Sequence, residues 1–255
     1  MIIVATTVGT TGDIAPLCEL GVELIKRGHT FKILAQEKFR PLIEEKGIIY
    51  CHLSGDANHA MKWLVTDVKT GLEFGTAVFK LKKENPNFME ECEKAVSKDL
   101  IELQKRVYRV IQKLNIKAII QADEIPHMNT NRIHFIGNIP YEAIFPYVRG
   151  VVHHGGCTTV GLALYYGKPS LAIPLAMDQH FYGKQIHKLK AGPACLYIRK
   201  KLCTEKEIEA SILDLMSGKY DEGAKMVQEK MHKENGIEKA IQALEEYGEK
   251  YEYKV

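Results

Sequence analysis

The residues with most chemical potential lie together in the C-terminal half, in His153-His154-Gly155-Gly156-Cys157-Thr158-Thr159. An apolar stretch, Gly150-Val151-Val152, reads as a strand entering this turn, and Thr158 to Tyr166 reads as a helix leaving it. Two glycines let the backbone approach a ligand without interference from a β-carbon. The helix start offers N–H groups and the positive end of a dipole, which suits a diphosphate. Thr158 and Thr159 add hydroxyls, and His154 adds a ring donor. Because a strand points consecutive side chains to opposite faces, His153 is expected to be structural. The competing reading of the motif is a tight connection in which Thr158 only caps a helix. Further along, Asp178-Gln179 opens another helix, where an N-cap and a solvated first-turn residue are the plainer roles.

A second glycine turn lies near the start, Gly9-Thr10-Thr11-Gly12-Asp13, between the apolar strand Ile2 to Ala5 and an amphipathic helix from Ile14 to Arg27. Asp13 is either a helix cap or a base. Gly9 and Gly12 also permit a nicotinamide-binding turn with Glu37 on the ribose, although the full Gly-x-Gly-x-x-Gly is absent. His29 reads as a helix-stop residue with a tertiary hydrogen bond, Trp63 as core, and Lys80 to Lys83 as a solvated face.

The elements that position these residues alternate. Strands are expected at Thr30 to Ala35, Ile48 to His52, Ala118 to Ile120, Ile133 to Ile136, Ser170 to Ile173 and Cys195 to Ile198. Helices are expected at Phe39 to Lys46, Leu100 to Leu114, Tyr141 to Phe145 and Gln179 to Leu189. Thr204-x-x-Glu207 is a capping box opening a helix to Met216, and two charged helices flank Asn235-Gly236. From Asp56 to about Lys98 the text is rich in lysine and glutamate; helix is expected there, broken at Asn85-Pro86-Asn87. Repeated βα units predict an α/β doubly wound architecture.

At 255 residues, 45% apolar and 26% charged, the composition is that of an ordinary globular protein. A net charge of +3 without a basic cluster argues against nucleic acid as a partner. No apolar run approaches the ~20 residues that span a bilayer. The six cysteines are scattered without a Cys-x-x-Cys pair, so reduced thiols in the cytoplasm are expected and no metal site. The start, Met1-Ile2-Ile3-Val4, has no basic n-region and does not read as a signal peptide.

The segment from His154 to Gln179 resembles the nucleotide-sugar signature of family 1 glycosyltransferases, which have the GT-B fold, and is most similar to the sterol and glycolipid glucosyltransferase branch. That branch reads His-His-Gly-Gly-Ala-Gly-Thr-Thr, then Gly-x-Pro, then Gly-Asp-Gln; here Gly167-Lys168-Pro169 and Asp178-Gln179 stand at matching positions, and Phe181-Tyr182-Gly183 continues the match. Gly137-Asn138-Ile139-Pro140 through Phe145-Pro146 resembles the segment that packs around the uracil base. Upstream, Gly9 to Pro16 and Gly28-His29 resemble the opening of the glycosyltransferase family 28 N-terminal domain.

The resemblance implies a fold of two Rossmann-like parallel-sheet halves: a shortened acceptor-side domain over residues 1–98 and a nucleotide-sugar domain over 99–255. It implies diphosphate contacts from His154, Gly155, Gly156, Thr158 and Thr159, and sugar contacts from Asp178 and Gln179. Asp13 takes the place of the branch's proposed base. Cys157-Thr158 replaces the branch's Ala-Gly, which adds bulk at the phosphate turn. The implied reaction is inverting, metal-independent transfer of a hexose from a UDP-sugar, itself the donor substrate with no further cofactor, to a hydroxyl of a sterol or lipid-like acceptor, with membrane-surface contact. The stretch from about 60 to 100 is shorter than in full-length relatives, and a sheet cut at the domain junction exposes an edge for a second copy or a protein partner to cover. The alternative is a UDP-sugar-binding module that is non-catalytic or dependent on such a partner.

Overall fold

The computed structural model describes residues 1–7, 11–53, 88–121, 130–137, 139–175, 178–196 and 203–251, and the side chains of all these except 88–100. The chain divides into two compact units, Met1–Met61 with Met231–Val255, and Lys62–Lys230.

In the first unit β1 (Ile2–Thr6), β2 (Thr30–Ala35) and β3 (Ile49–His52) form a parallel sheet in that order. The strict alternation in β2 sends Phe31, Ile33 and Ala35 to one face, where they meet Ile14, Cys18 and Leu24 of helix α1 (Thr11–Lys26). A β-carbon on Gly21 would stand 2.5 Å from the Phe31 ring, so glycine permits this close helix–sheet approach. Helix α1 starts at Thr11 rather than at Ile14, which places Asp13 inside its first turn instead of at its cap. A 3-10 turn, Glu37–Phe39, and the short helix α2 (Arg40–Glu45) lead into β3.

The second unit begins, among described residues, with α3 (Phe88–Leu114). Strands β4 (Ala118–Gln121) and β5 (Ile133–Ile136) pair in parallel, as do β6 (Val151–His153) and β7 (Ser170–Ala172). Between the pairs lie two 3-10 turns, Tyr141–Ala143 and Phe145–Tyr147, where one short helix was expected; Pro146 occupies the second. Helix α4 (Cys157–Tyr165) follows β6, and α5 (Gln179–Lys188) follows β7. Cys195 to Ile198 does not form the expected strand over its described residues. One sheet-like bond remains, from Leu196 N–H to the Ala172 carbonyl at 3.1 Å.

Helix α6 (Glu205–Met216) starts at the expected capping box, with Glu207 N–H on Thr204 Oγ1 at 3.3 Å and Thr204 N–H on a Glu207 carboxylate oxygen at 2.7 Å. Its Ile208, Ile212 and Leu215 pack with Leu103 and Val110 of α3 and with Leu171 and Ile173. Helices α7 (Asp221–Lys233) and α8 (Gly236–Lys250) close the described chain.

The sequence reading assigned α8 to the C-terminal half, but α8 packs on the first unit. Ile241 and Leu244 join the core of α1 and β2, Arg27 pairs with Glu238, and His29 Nε2 meets Glu245 at 2.9 Å. His29 thus makes the tertiary bond expected of it. Trp63, Lys80 to Lys83, Asn85-Pro86-Asn87 and the shortened stretch up to Asn87 lie outside the described residues, as do Gly9, Thr10 and Asn138. No helix among the described residues is long and apolar enough to cross a membrane.

Candidate functional site

The chain leaves β6 at His153 and enters α4 at Cys157, so His154, Gly155 and Gly156 form the whole turn. Gly155 has φ of +92°, a left-handed conformation that disfavours side chains. Its N–H donates to His153 Nδ1 at 2.9 Å. That bond requires the ring's proton on Nε2, which is buried without a partner. Burial, reinforced by the neighbouring His154 charge, pushes the His153 pKa down to about 3, so the ring stays neutral. His153 is structural, as alternation along the strand predicts, and it also sets the turn.

His154 lies just beyond the strand and keeps an edge open to solvent. Its ring folds back on the turn, with Nε2 2.5 Å from where a β-carbon on Gly156 would stand. The protein packed around the rest of the ring lowers its pKa, and the negative charge of Asp178 partly offsets this. Asp178 and His154 are therefore near neighbours, which their distance in sequence conceals.

Gly156 occupies the N-cap of α4 and, having no side chain, makes no cap bond to that helix. The first turn of α4 therefore presents its N–H groups and positive dipole end beside His154. Thr158 is half-buried, while Thr159 is only 7% exposed, so Thr158 has the more open side chain of the two.

Asp178 occupies the N-cap of α5 without making a side-chain cap, so its exposed carboxylate is not spent on the helix. Gln179 accepts a hydrogen bond from the Leu175 N–H at 2.8 Å through Oε1, a contact that the sequence reading missed. The Cys157 side chain beside the Tyr182 hydroxyl, with nearby negative charge, pushes the Tyr182 pKa up to about 12. No periodicity signals either pair. The Gly167-Lys168-Pro169 motif is architectural here. Gly167, at φ +64°, ends α4; Lys168 N–H bonds to Ala163 and its Nζ to the Pro146 carbonyl; the Pro169 carbonyl accepts from Val151 N–H. Tyr141 and Phe145 stack at 4.8 Å in the segment expected around a base.

Asp13 lies exposed in the first turn of α1. Glu37, considered above as a ribose ligand, is held by Arg40 at 3.0 Å, by the Tyr50 hydroxyl at 3.1 Å and by His52 at 3.3 Å. Among the described residues no three His, Cys, Asp or Glu side chains are grouped to hold a metal ion.

Residues 3–122 match the glycosyltransferase family 28 N-terminal domain, and residues 105–246 match the erythromycin biosynthesis protein CIII-like C-terminal domain. The sterol 3-beta-glucosyltransferase of Candida albicans is 29% identical over 160 residues, covering 58% of this chain and 10% of that protein. The Saccharomyces cerevisiae sterol 3-beta-glucosyltransferase is 34% identical over 109 residues, covering 43% and 9%. The chain thus spans about a tenth of the length of these relatives. Among solved structures, the spinosyn forosaminyltransferase superposes with a TM-score of 0.70 at 11% identity, covering 97% of this chain and 99% of that one. The glycosyltransferase VinC in complex with dTDP also gives 0.70 at 11% identity, covering 98% and 100%. The chain belongs to the glycosyltransferases of GT-B fold, with a family 28 N-terminal domain match leading into a CIII-like C-terminal domain.

Proposed function

We propose that the chain binds a UDP-sugar through His154, Gly155, Gly156, Thr158, Thr159, Asp178 and Gln179, and transfers its hexose, with inversion, to a hydroxyl of a sterol or lipid-like acceptor. The carrying observation is the neutral His154 ring folded over Gly156 at the start of α4, with Asp178 close by. In this reading Asp13 accepts the proton of the acceptor hydroxyl, whose oxygen bonds to the anomeric carbon. The bond from that carbon to the diphosphate breaks, and UDP departs with its new charge facing the helix dipole and the His154 N–H. This leaving-group stabilisation is electrostatic and requires no metal. Asp178 and Gln179 read the sugar hydroxyls. The choice of a sterol-like acceptor rests on the similarity to the sterol 3-beta-glucosyltransferases.

A second reading is favoured by the first unit's sheet. Ile2 is 69% exposed, Val4 57% and Ile49 48%, and their register puts all three on one face. Parallel sheets are ordinarily covered on both faces. The chain would then be a UDP-sugar-binding module whose catalysis waits on a partner. Isothermal titration with UDP and UDP-glucose, paired with a UDP-glucose hydrolysis assay, separates the readings. Binding with turnover supports the transferase, binding without turnover supports the module, and no response to UDP refutes both.

A further inference from the structure

Gly155 is gripped from two directions. Its N–H is held by His153 at 2.9 Å, and the backbone carbonyl of Gln179 stands 2.9 Å from where a β-carbon on Gly155 would be. The residue expected to read the sugar therefore abuts, through its backbone, the turn expected to hold the diphosphate. Its side chain is engaged on the other side: Oε1 accepts the Leu175 N–H at 2.8 Å. The carboxamide's other group, Nε2, is a donor only.

The start of α5 has little freedom to retreat. Gly183 lies against the sheet, where a β-carbon would come to 3.1 Å from Ala172 and 3.0 Å from Cys195. A shift of Gln179 must then move Leu175, the Gly155 turn, or both.

We propose that Gln179 is a positioning residue for the nucleotide as well as a reader of the sugar, linking Leu175 to the glycine turn so that losing its carboxamide weakens binding of UDP itself. The proposal rests on the donor-binding reading above. It separates Gln179 from its neighbour Asp178, whose carboxylate makes no helix cap and is expected to matter only when the sugar is present.

The test uses the full chain in two measurements. The first needs no ligand: amide exchange at Leu175, followed by NMR. Gln179→Ala should speed that exchange on the order of ten-fold, and Gln179→Glu, which keeps an oxygen where Oε1 stands, should restore slow exchange. The second is titration with UDP. Gln179→Ala should bind it on the order of three- to ten-fold more weakly, the value of one neutral hydrogen bond. Unchanged Leu175 exchange in Gln179→Ala would overturn the proposal. So would wild-type UDP affinity in that variant with only the UDP-glucose preference lost. A wild-type chain that binds no UDP would refute the donor reading instead, a failure that the ligand-free exchange result keeps distinct from the Leu175 contact.

Discussion

The ring of His154 covers Gly156 so closely that its Nε2 stands 2.5 Å from the place of a β-carbon on that glycine. Two more atoms of the same ring, Cδ2 and Cε1, stand 3.3 Å from that place. The absence of a side chain at Gly156 is thus matched to the position of one donor. At Gly155 the constraint differs, because the facing atom is the backbone carbonyl of Gln179 and φ is +92°.

This contrast separates two neighbouring glycines experimentally. In Gly156→Ala the methyl group meets the tip of a side chain that can rotate away, so stability should change by less than about 1 kcal/mol. UDP affinity should fall about ten-fold, because the ring leaves its place. Combining it with His154→Ala should add almost nothing to the loss from His154→Ala alone. Gly155→Ala should destabilise the fold by ~1 kcal/mol or more, since its backbone suits only glycine and the opposing carbonyl is not free to turn. Urea denaturation and UDP titration on the four variants give both quantities. Additive losses in the double variant would dissociate the ring from the glycine.

His154 also makes binding depend on pH with a definite sign. Burial lowers its pKa in the free protein. A diphosphate beside the ring favours the protonated form, so the pKa is higher in the complex than in the free chain. UDP affinity should therefore rise as pH falls from 8 toward 6, with proton uptake visible as a dependence of binding heat on the buffer's ionisation enthalpy. His154→Ala should abolish that dependence and cost ~1.5–3 kcal/mol, the value of a charge-assisted bond. A pH dependence that survives in His154→Ala would assign the linkage to the phosphate or to another group.

The alternation of strand, glycine turn and helix was legible in the chain because it rests on local chemistry: apolar runs, glycines and capping residues at fixed spacing. That made the Thr204 to Glu207 cap, the stop at His29, and the turn between β6 and α4 readable directly. What was not legible depends on distance. The amphipathic stripe of α8 announces that Ile241 and Leu244 will be buried but not against which core, and they pack beside α1. Thr11 and Gly12 carry no strong signal against helix, so α1 begins before Asp13. His153 was recognised as structural, yet nothing in a strand pattern shows that its Nδ1 accepts the Gly155 N–H. The Leu175–Gln179 bond crosses a loop and helix boundary, where no period applies.

His153 should dominate the acid sensitivity of the fold. Its folded pKa, about 3, lies below the ordinary value of 6.5. A base depressed in this way contributes stability that is fully present above pH 6.5 and is lost as pH falls toward 3, because the unfolded chain binds the proton that the folded chain refuses. Within that window the loss approaches ~1.4 kcal/mol per pH unit. His153→Asn offers an oxygen to the Gly155 N–H and does not titrate, so its urea midpoint should vary less between pH 6 and 4 than that of wild type. An identical slope in the two proteins would place the acid-labile group elsewhere.

The last expectation concerns Asp13, the residue on which the transferase reading depends. It lies in the first exposed turn of α1, directly after the segment that follows β1. A base is needed there only if the acceptor hydroxyl must lose its proton as the bond to the anomeric carbon forms, a contribution of ~10²- to 10⁴-fold in rate. Asp13→Asn keeps the size and polarity of the side chain and removes its capacity to take a proton. UDP and UDP-glucose should bind this variant as they bind wild type, because none of the donor-side contacts changes. Transfer of radiolabelled glucose to a panel of sterols and lipid alcohols should fall by at least ~100-fold in kcat with KM for the donor little altered. Transfer by Asp13→Asn at the wild-type rate would remove Asp13 from the chemistry. If neither protein transfers sugar although both bind the donor, the exposed face formed by Ile2, Val4 and Ile49 becomes the decisive feature, and the binding-module reading takes the place of the transferase.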